Sequence, residues 1–220
     1  MLIVIDPGHG GKDPGAMENG LIEKDLTMFL ALRIEERLDN YECNAEIFQL
    51  PNVTAQEDMQ SVVDSANEKR ADFFLSVHIN SVNDPAVKGF ESFIHPNKTG
   101  DKKVQAAIHD AVSEYVSEHD IPDRDMKQAN FKVLRETKMP AVLLECAFLS
   151  SSHDAERLRS IQFLDKLANA ITWGMVQAFG LKPKTDKAVL QEQCLKLDME
   201  LRRLRQGISN AATTLAALMG

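Results

Sequence analysis

This 220-residue chain predicts an α/β fold, with helices on both faces of a central sheet and a helical appendage at the C-terminus. Three observations lead there. Short apolar runs bounded by turn residues alternate with amphipathic stretches of roughly 15 residues or more, the rhythm of repeated strand and helix. Three of the apolar runs, "VIDPGH", "LSVHINS" and "LLECAF", finish in chemically capable residues, as strands do when a site lies beyond the end of a sheet. After Gly180 the alternation stops and a different pattern takes over.

Along the chain, "LIVID" closed by "PGHGG" is a buried strand followed by a loop. From Leu21 to Leu38, Leu26, Phe29, Leu30 and Leu38, with the stem of Arg33, recur between charges and make an amphipathic helix. "AEIFQL" is a second strand, "PNVT" a turn, and Gln56 to Arg70 a helix with a thin apolar side. "ADFFLSVHINS" is the most central strand, apolar through most of its length and polar at its end. "KGFESFIHP" alternates and belongs nearer an edge. A helix through "DKKVQAAIHDAVSEYVSEH" carries the stripe Val104, Ile108, Val112 and Val116. "FKVLRET" is a short strand and "PAVLLECAF" another buried one. Asp154 to Phe179 closes the domain as one helix, with Leu158, Ile161, Leu164, Leu167, Ile171 and Val176 inward.

Residues 181–187, "LKPKTDK", have the short, basic, proline-bearing composition of a linker. Within 188–220, Leu190, Cys194, Leu197, Leu201, Leu204, Ile208, Ala211 and Leu215 repeat at spacings of four and three, a heptad seam. An isolated helix of this length is marginal in water, so the seam needs a cover, and a second subunit is the first expectation. Residues 181–220 hold seven Lys or Arg against four Asp or Glu, which leaves −11 on residues 1–180 out of the total of −8.

That acidic balance, with a pI near 5.3, excludes a nucleic-acid backbone as partner. Cys43, Cys146 and Cys194 lie far apart, with neither metal-hook nor disulfide-framework spacing, and suit a reducing compartment. No basic leader precedes an apolar run, and no apolar run approaches the roughly 20 residues of a membrane span. The expectation is a soluble protein made in the cytoplasm without a leader, for which any extracellular target needs another exit route.

Four polar residues stand out. His9 sits among glycines, but the segment is no phosphate loop: neither G-x-G-x-x-G nor G-x-x-x-x-G-K-[ST] occurs. His78 ends the most apolar strand and, alone, reads most simply as a core histidine bonded to backbone. Glu23 lies two residues inside a helix start, where a carboxylate also suits the free N–H groups. Together, two imidazoles and one carboxylate make a zinc site with an open fourth position, the hydrolytic ligand count. Glu145 has apolar neighbours on both sides in "AVLLECAF", and a buried carboxylate is costly without a partner. It is therefore a candidate general base. No H-E-x-x-H occurs, so the site is not of the helix-borne kind.

"IVIDPGHGGKDPGA", the Glu at the start of the first helix, "ADFFLSVHINS", "KQANFKVLRETKMPAVLLECAFLS" and "DAERL" resemble the N-acetylmuramoyl-L-alanine amidases, zinc-dependent enzymes of peptidoglycan. The likeness covers roughly residues 1–178 with its motifs in order. It implies a twisted, mostly parallel sheet of about six strands flanked by helices. It implies zinc ligands at His9, Glu23 and His78 and a catalytic glutamate at Glu145, with no organic cofactor. The substrate implied is the amide between muramic acid and the first L-alanine of the stem peptide, and the outcome cell-wall lysis. Residues 1–180 are then the catalytic domain, with 188–220 a self-associating or wall-binding helical segment. A chain without a leader that acts on the wall after release is the pattern of a phage endolysin.

The chain also departs from the family. Where members commonly read "TR" and later "D…L…R", it has "LPNVTAQEDMQSVV"; where they read "VETGF", it has "LECAF". Cys146 is expected to pack rather than react. Ser76, Asn80 and Asn130 are candidates for orienting ligands or capping loops, and Asp6 or Asp13 for steadying a ligand. His95, His109, His119 and His153 lack motif support and are assigned to the surface or to caps. Competing readings are a zinc peptidase or carboxypeptidase on stem peptides, a non-catalytic wall-binding module, and an adaptor built on the heptads.

Overall fold

The computed structural model describes the backbone of residues 1–48 and 55–219, and side chains within them except at 55–58, 187–188, 192 and 206–219. The expected turn "PNVT" and the heptad side chains Ile208, Ala211 and Leu215 lie outside the described residues. By contacts the chain divides into Met1–Lys182 and Pro183–Gly220.

The first unit is built on β1 (Leu2–Pro7), β4 (Asn44–Ile47), β5 (Phe73–Asn80), β6 (Phe90–Ile94), β7 (Asp123–Gln128) and β8 (Ala141–Phe148). They form one sheet in the order β4-β1-β5-β8-β6-β7. All neighbours run parallel except β6 and β8. A separate two-stranded ribbon joins β2 (Met17–Glu18) to β3 (Leu21–Ile22). The middle of the sheet is apolar because both faces are covered: Phe73, Phe74, Leu75 and Val77 of β5 and Val142 and Leu144 of β8 are all fully buried. On one face α6 (Ile161–Phe179) packs between α1 (Glu23–Leu38) and α3 (Lys102–Ser117). On the other, α2 (Ala55–Glu68) and α4 (Lys132–Glu136) bury Val62, Val63, Val133 and Leu134 against Val4, Phe74 and Leu143. The α/β reading and the mostly parallel six-stranded sheet therefore hold.

Four local readings change. "FKVLRET" is not a strand: Val133 and Leu134 are both buried, which adjacent residues achieve on a helical turn and not across a one-sided strand. β7 escapes sequence reading because "DRDMKQ" is mostly charged, as suits an edge that must not recruit further strands. With β7 outside it, β6 is the penultimate strand, near an edge as expected. The helix expected from Asp154 to Phe179 is broken. Ser160 takes an extended conformation (φ −84°, ψ 111°), and its Oγ accepts from Phe163 N–H to cap α6. The preceding turns form α5 (Ser152–Leu158), capped by Ser151. Ile161, the first residue of α6, is consequently 71% exposed rather than inward.

The second unit contains α7 (Asp186–Met219). Leu190, Leu197 and Leu204, spaced by seven, are 62%, 63% and 64% exposed. Among the described residues no helix is long and apolar enough to cross a membrane.

Candidate metal and catalytic site

β1, β5 and β8 are adjacent in the sheet and parallel, so their C-terminal ends open on one side. His78 and Glu145 are register partners across β5 and β8, which sets the two side chains next to each other at the sheet's end. Glu23 arrives from elsewhere, as the first residue of α1 rather than two residues into it, and is 4% exposed.

The loop after β1 turns back through His9 at φ 67°, a left-handed conformation that few side chains tolerate. Thr27 Oγ1 holds this loop by donating to Gly8 O at 2.7 Å. Two glycines are needed for steric reasons. A Cβ at Gly8 would run into the imidazole of His78, and one at Gly15 (φ 65°) would sit 2.6 Å from both Glu23 Oε2 and His9 Cδ2.

Glu23 lies between the two imidazoles. Its Oε2 is 3.1 Å from His9 Nε2, its Oε1 3.1 Å from His78 Nδ1, and the rings stand edge to face with centroids 5.1 Å apart. Each oxygen also accepts a backbone N–H, Ala16 at 3.0 Å and Ile79 at 3.1 Å, which fixes the carboxylate plane. On the far side of His9, Asp13 Oδ2 is 2.8 Å from Nδ1, so Nε2 is the nitrogen turned toward Glu23. Asp13 is itself held by Gly15 N–H at 3.0 Å. One donor atom from each of His9, Glu23 and His78 lies within 4.8 Å of the others. Two imidazoles and a carboxylate, converging, with His9 braced by Asp13 and Glu23 by two backbone N–H groups, fit a divalent cation.

The protonation pattern has the same cause. Burial pulls His9 down, yet the hydrogen bonds and charges of Glu23 and Asp13 outweigh it and push its pKa up to about 9. His78 is likewise raised against the pull of burial by Glu23, with the charges of Glu145 and Asp6 adding to the effect. Glu23, despite burial, is held well below the usual carboxylate range by the two histidines. Without a metal, protons supply the positive charge that these acids attract.

Glu145 behaves oppositely. Burial pushes its carboxyl up to about 7, with Glu23 and Glu91 adding to the rise and His78 and His9 opposing it. Its Oε2 is buried and has no hydrogen-bond partner among the described residues. His9, His78 and Glu145 line one cavity of about 230 Å³, walled on another side by Met59, Phe131, Lys132 and Val133. Glu91, the register partner of Glu145 on β6, is neutralised by Arg124 and by Lys127 at 2.8 Å.

The other expected residues divide. Ser76 Oγ donates to Asp6 at 2.7 Å beneath the site, while Asn80 only caps Ser81 N–H. Asn130 contacts His95 and Arg135 instead of lining the cavity. Cys146 is fully buried, and its thiol is pushed up by burial and by Glu145, so it packs and does not react. Of the histidines assigned to the surface or to caps, His95 and His109 are buried, and His95 Nδ1 accepts from Asn97 N–H. His109 joins Ser92 Oγ at 2.8 Å and Asp123 at 2.9 Å in an array resembling a hydrolytic triad. Ser92 is fully buried, so nothing can reach it, and the array ties β6, α3 and β7 together. Met59, Phe131 and Lys132 were not singled out from sequence. A helical reading of "FKVLRE" would have drawn attention to the last two.

A family profile described as N-acetylmuramoyl-L-alanine amidase matches residues 3–177. The sporulation-specific N-acetylmuramoyl-L-alanine amidase of Bacillus subtilis is 39% identical over 192 residues, covering 87% of this chain and 73% of that protein. An endolysin of Bacillus phage SPP1 is 34% identical over 191 residues, covering 84% and 68%. Among solved structures, the amidase AmiC2 of Nostoc punctiforme superposes with a TM-score of 0.75 at 30% identity, over 82% of this chain and 97% of that one. The catalytic domain of the amidase CwlV from Paenibacillus polymyxa gives 0.74 at 28%, over 82% and 99%.

Proposed function

The chain belongs to the N-acetylmuramoyl-L-alanine amidase family, and from that premise we propose that His9, Glu23 and His78 hold a zinc ion beside Glu145, the general base. The protein is an enzyme of that class and hydrolyses the amide joining N-acetylmuramic acid to L-alanine in peptidoglycan. The observation that supports the residue assignment is the convergence of His9, Glu23 and His78, two of which line one cavity with a carboxylate that has a buried oxygen unpartnered among the described residues.

Held by these three side chains, zinc supplies Lewis-acid polarisation of the scissile carbonyl and acidification of water. Glu145 takes a proton from the attacking water and delivers it to the departing amine of L-alanine as the C–N bond breaks. The residue must be ionised before attack and protonated after it. In the metal-free protein burial brings this carboxyl up to about 7, and a cation held beside it would favour the ionised form that must take the proton first. Asp13 keeps His9 in the tautomer that presents Nε2, and Val133 and Leu143 supply an apolar wall. Digestion of purified peptidoglycan followed by mass spectrometry tests the reading: intact stem peptides with a new N-terminal L-alanine support it. Shortened stem peptides would instead make the protein a peptidase.

For the domain organisation, residues 1–180 are the catalytic domain and α7 (Asp186–Met219) is a self-associating helix, which begins inside the expected 181–187 linker and shortens it to 181–185. The heptad-spaced, exposed Leu190, Leu197 and Leu204 support that assignment. Light scattering over a concentration series should give a multiple of the monomer mass for the full chain and the monomer mass for a chain ending at Leu181. Monomers in both would remove self-association, and loss of wall pelleting on truncation would then favour wall binding.

A further inference from the structure

Among the described residues, the catalytic cavity is lined by one lysine, Lys132, and by no arginine. The other charged groups on its wall, histidines aside, are the carboxylates of Asp6, Asp13 and Glu145. Lys132 makes no ion pair or hydrogen bond with any of them, nor with any other described residue. Lys69 pairs with Glu46, Lys127 with Glu91, and Lys98 donates to Thr137; other lysines project from the surface, and Lys132 differs from them in lining the cavity.

Its position is nonetheless set firmly. The two residues that follow it in α4, Val133 and Leu134, are buried in the core. The turn is closed by Thr137 Oγ1 donating to Val133 O at 2.7 Å, and Phe131 beside it packs edge-on against Phe93 with centroids 5.3 Å apart. A cation whose backbone is anchored on an acid-lined wall, and which has no side-chain partner among the described residues, is arranged for an anion that arrives with the substrate.

The size of the cavity says which anion. A space of about 230 Å³ containing both Glu145 and Lys132 is on the order of 8 Å across, roughly two residues of extended chain. Counted from the scissile amide, that reaches the residue after L-alanine in the stem peptide. That residue carries a carboxylate which walls present either free or amidated. We propose that Lys132 binds this carboxylate and makes the enzyme prefer stem peptides in which it is free. The proposal rests on the reading of the site as the muramoyl–L-alanine amidase centre.

The test uses the full chain supplied with zinc and two soluble muramoyl peptides that differ only in that carboxylate, free in one and amidated in the other. Wild type should show a KM lower by about fivefold to tenfold for the free acid, the range expected of a partly exposed charge-assisted contact. Lys132→Gln should bring the ratio to about one, chiefly through KM, and Lys132→Glu should invert it. Lys132→Arg should keep the preference, which a merely structural role for the side chain would not predict. Cleavage of both peptides with one KM, or a Lys132→Gln enzyme with the wild-type ratio, overturns the assignment and leaves the amidase reading intact. Failure to cut the muramoyl amide of either peptide overturns both together.

Discussion

Replacing Glu145 by Gln should push activity and stability in opposite directions. The carboxyl is raised from 4.5 to about 7 by burial, and a shift of that size makes ionisation in the folded, metal-free protein cost about 3 kcal/mol. Because the group is partly exposed to the cavity, on the order of 1–3 kcal/mol is the working range. The sign follows from linkage. A carboxyl with a raised folded pKa binds its proton more tightly when folded, so wild type is relatively most stable below pH 4.5 and loses that advantage as pH rises to about 7. Gln has no such dependence. Urea unfolding of the metal-free proteins should therefore show the variant gaining on wild type between those pH values and levelling off above them. With zinc restored, turnover of peptidoglycan should fall by ~10²–10⁴-fold. A variant that unfolds more easily at pH 7.5 and retains near-normal turnover would make Glu145 a structural residue, and the base another group.

Metal binding near neutral pH should release about one to two protons per site, since His9 is raised to about 9 and His78 is raised with it. Calorimetry in buffers of different ionisation enthalpy reads that release, affinity should climb with pH until about 9, and a pH-independent affinity would contradict the charge pattern. Asp13→Ala should weaken metal binding by ~10–100-fold by freeing His9 Nδ1, read by competition with a chelator while thermal unfolding of the metal-free protein changes little. Ser92→Ala should leave turnover unchanged and cost about 1–3 kcal/mol in urea, because it strips partners from His109 and Gln105 deep in the sheet; a large loss of turnover at full stability would make the buried Ser92–His109–Asp123 array functional.

The parts of the molecule that could be read from sequence are those where burial leaves a pattern. β1, β5 and β8 are buried on both faces and read as apolar runs, and their polar ends, His9, His78 and Glu145, stand out against that background. Elements decided by tertiary contacts could not be read so. β7 is a strand because β6 offers it an edge, despite a composition that speaks for a loop. "FKVLRE" coils because the sheet face above α2 has room for two adjacent side chains, a fact absent from local periodicity. The split between α5 and α6 was signalled by Ser160 three residues before Phe163, but an unbroken apolar period masks such a cap.

At the site the difference is one of distance. Glu23, remote in sequence from His78, could be grouped with the histidines as a ligand set by chemistry, and the family resemblance strengthened that grouping. The loop residues that make the grouping work, Gly8 and Gly15, do so by steric clearance to His78, His9 and Glu23 that no spacing rule reveals. Asp13 was one of two candidates for steadying a ligand, and only its approach to His9 Nδ1 separates it from Asp6, which instead accepts from Ser76. Lys132 carried no signal, since an isolated lysine on a turn looks like any solvated charge until the cavity beside it is seen.

The central claim is that His9, Glu23 and His78 are the ligands of a catalytic zinc. Anomalous X-ray scattering across the zinc edge from crystals of the zinc-loaded protein tests metal identity and ligands together. The account predicts one strong peak in the catalytic domain, bonded to one atom each of His9, Glu23 and His78 and absent from crystals of His78→Ala. A peak bonded to other residues, or an undiminished peak in His78→Ala, would contradict it.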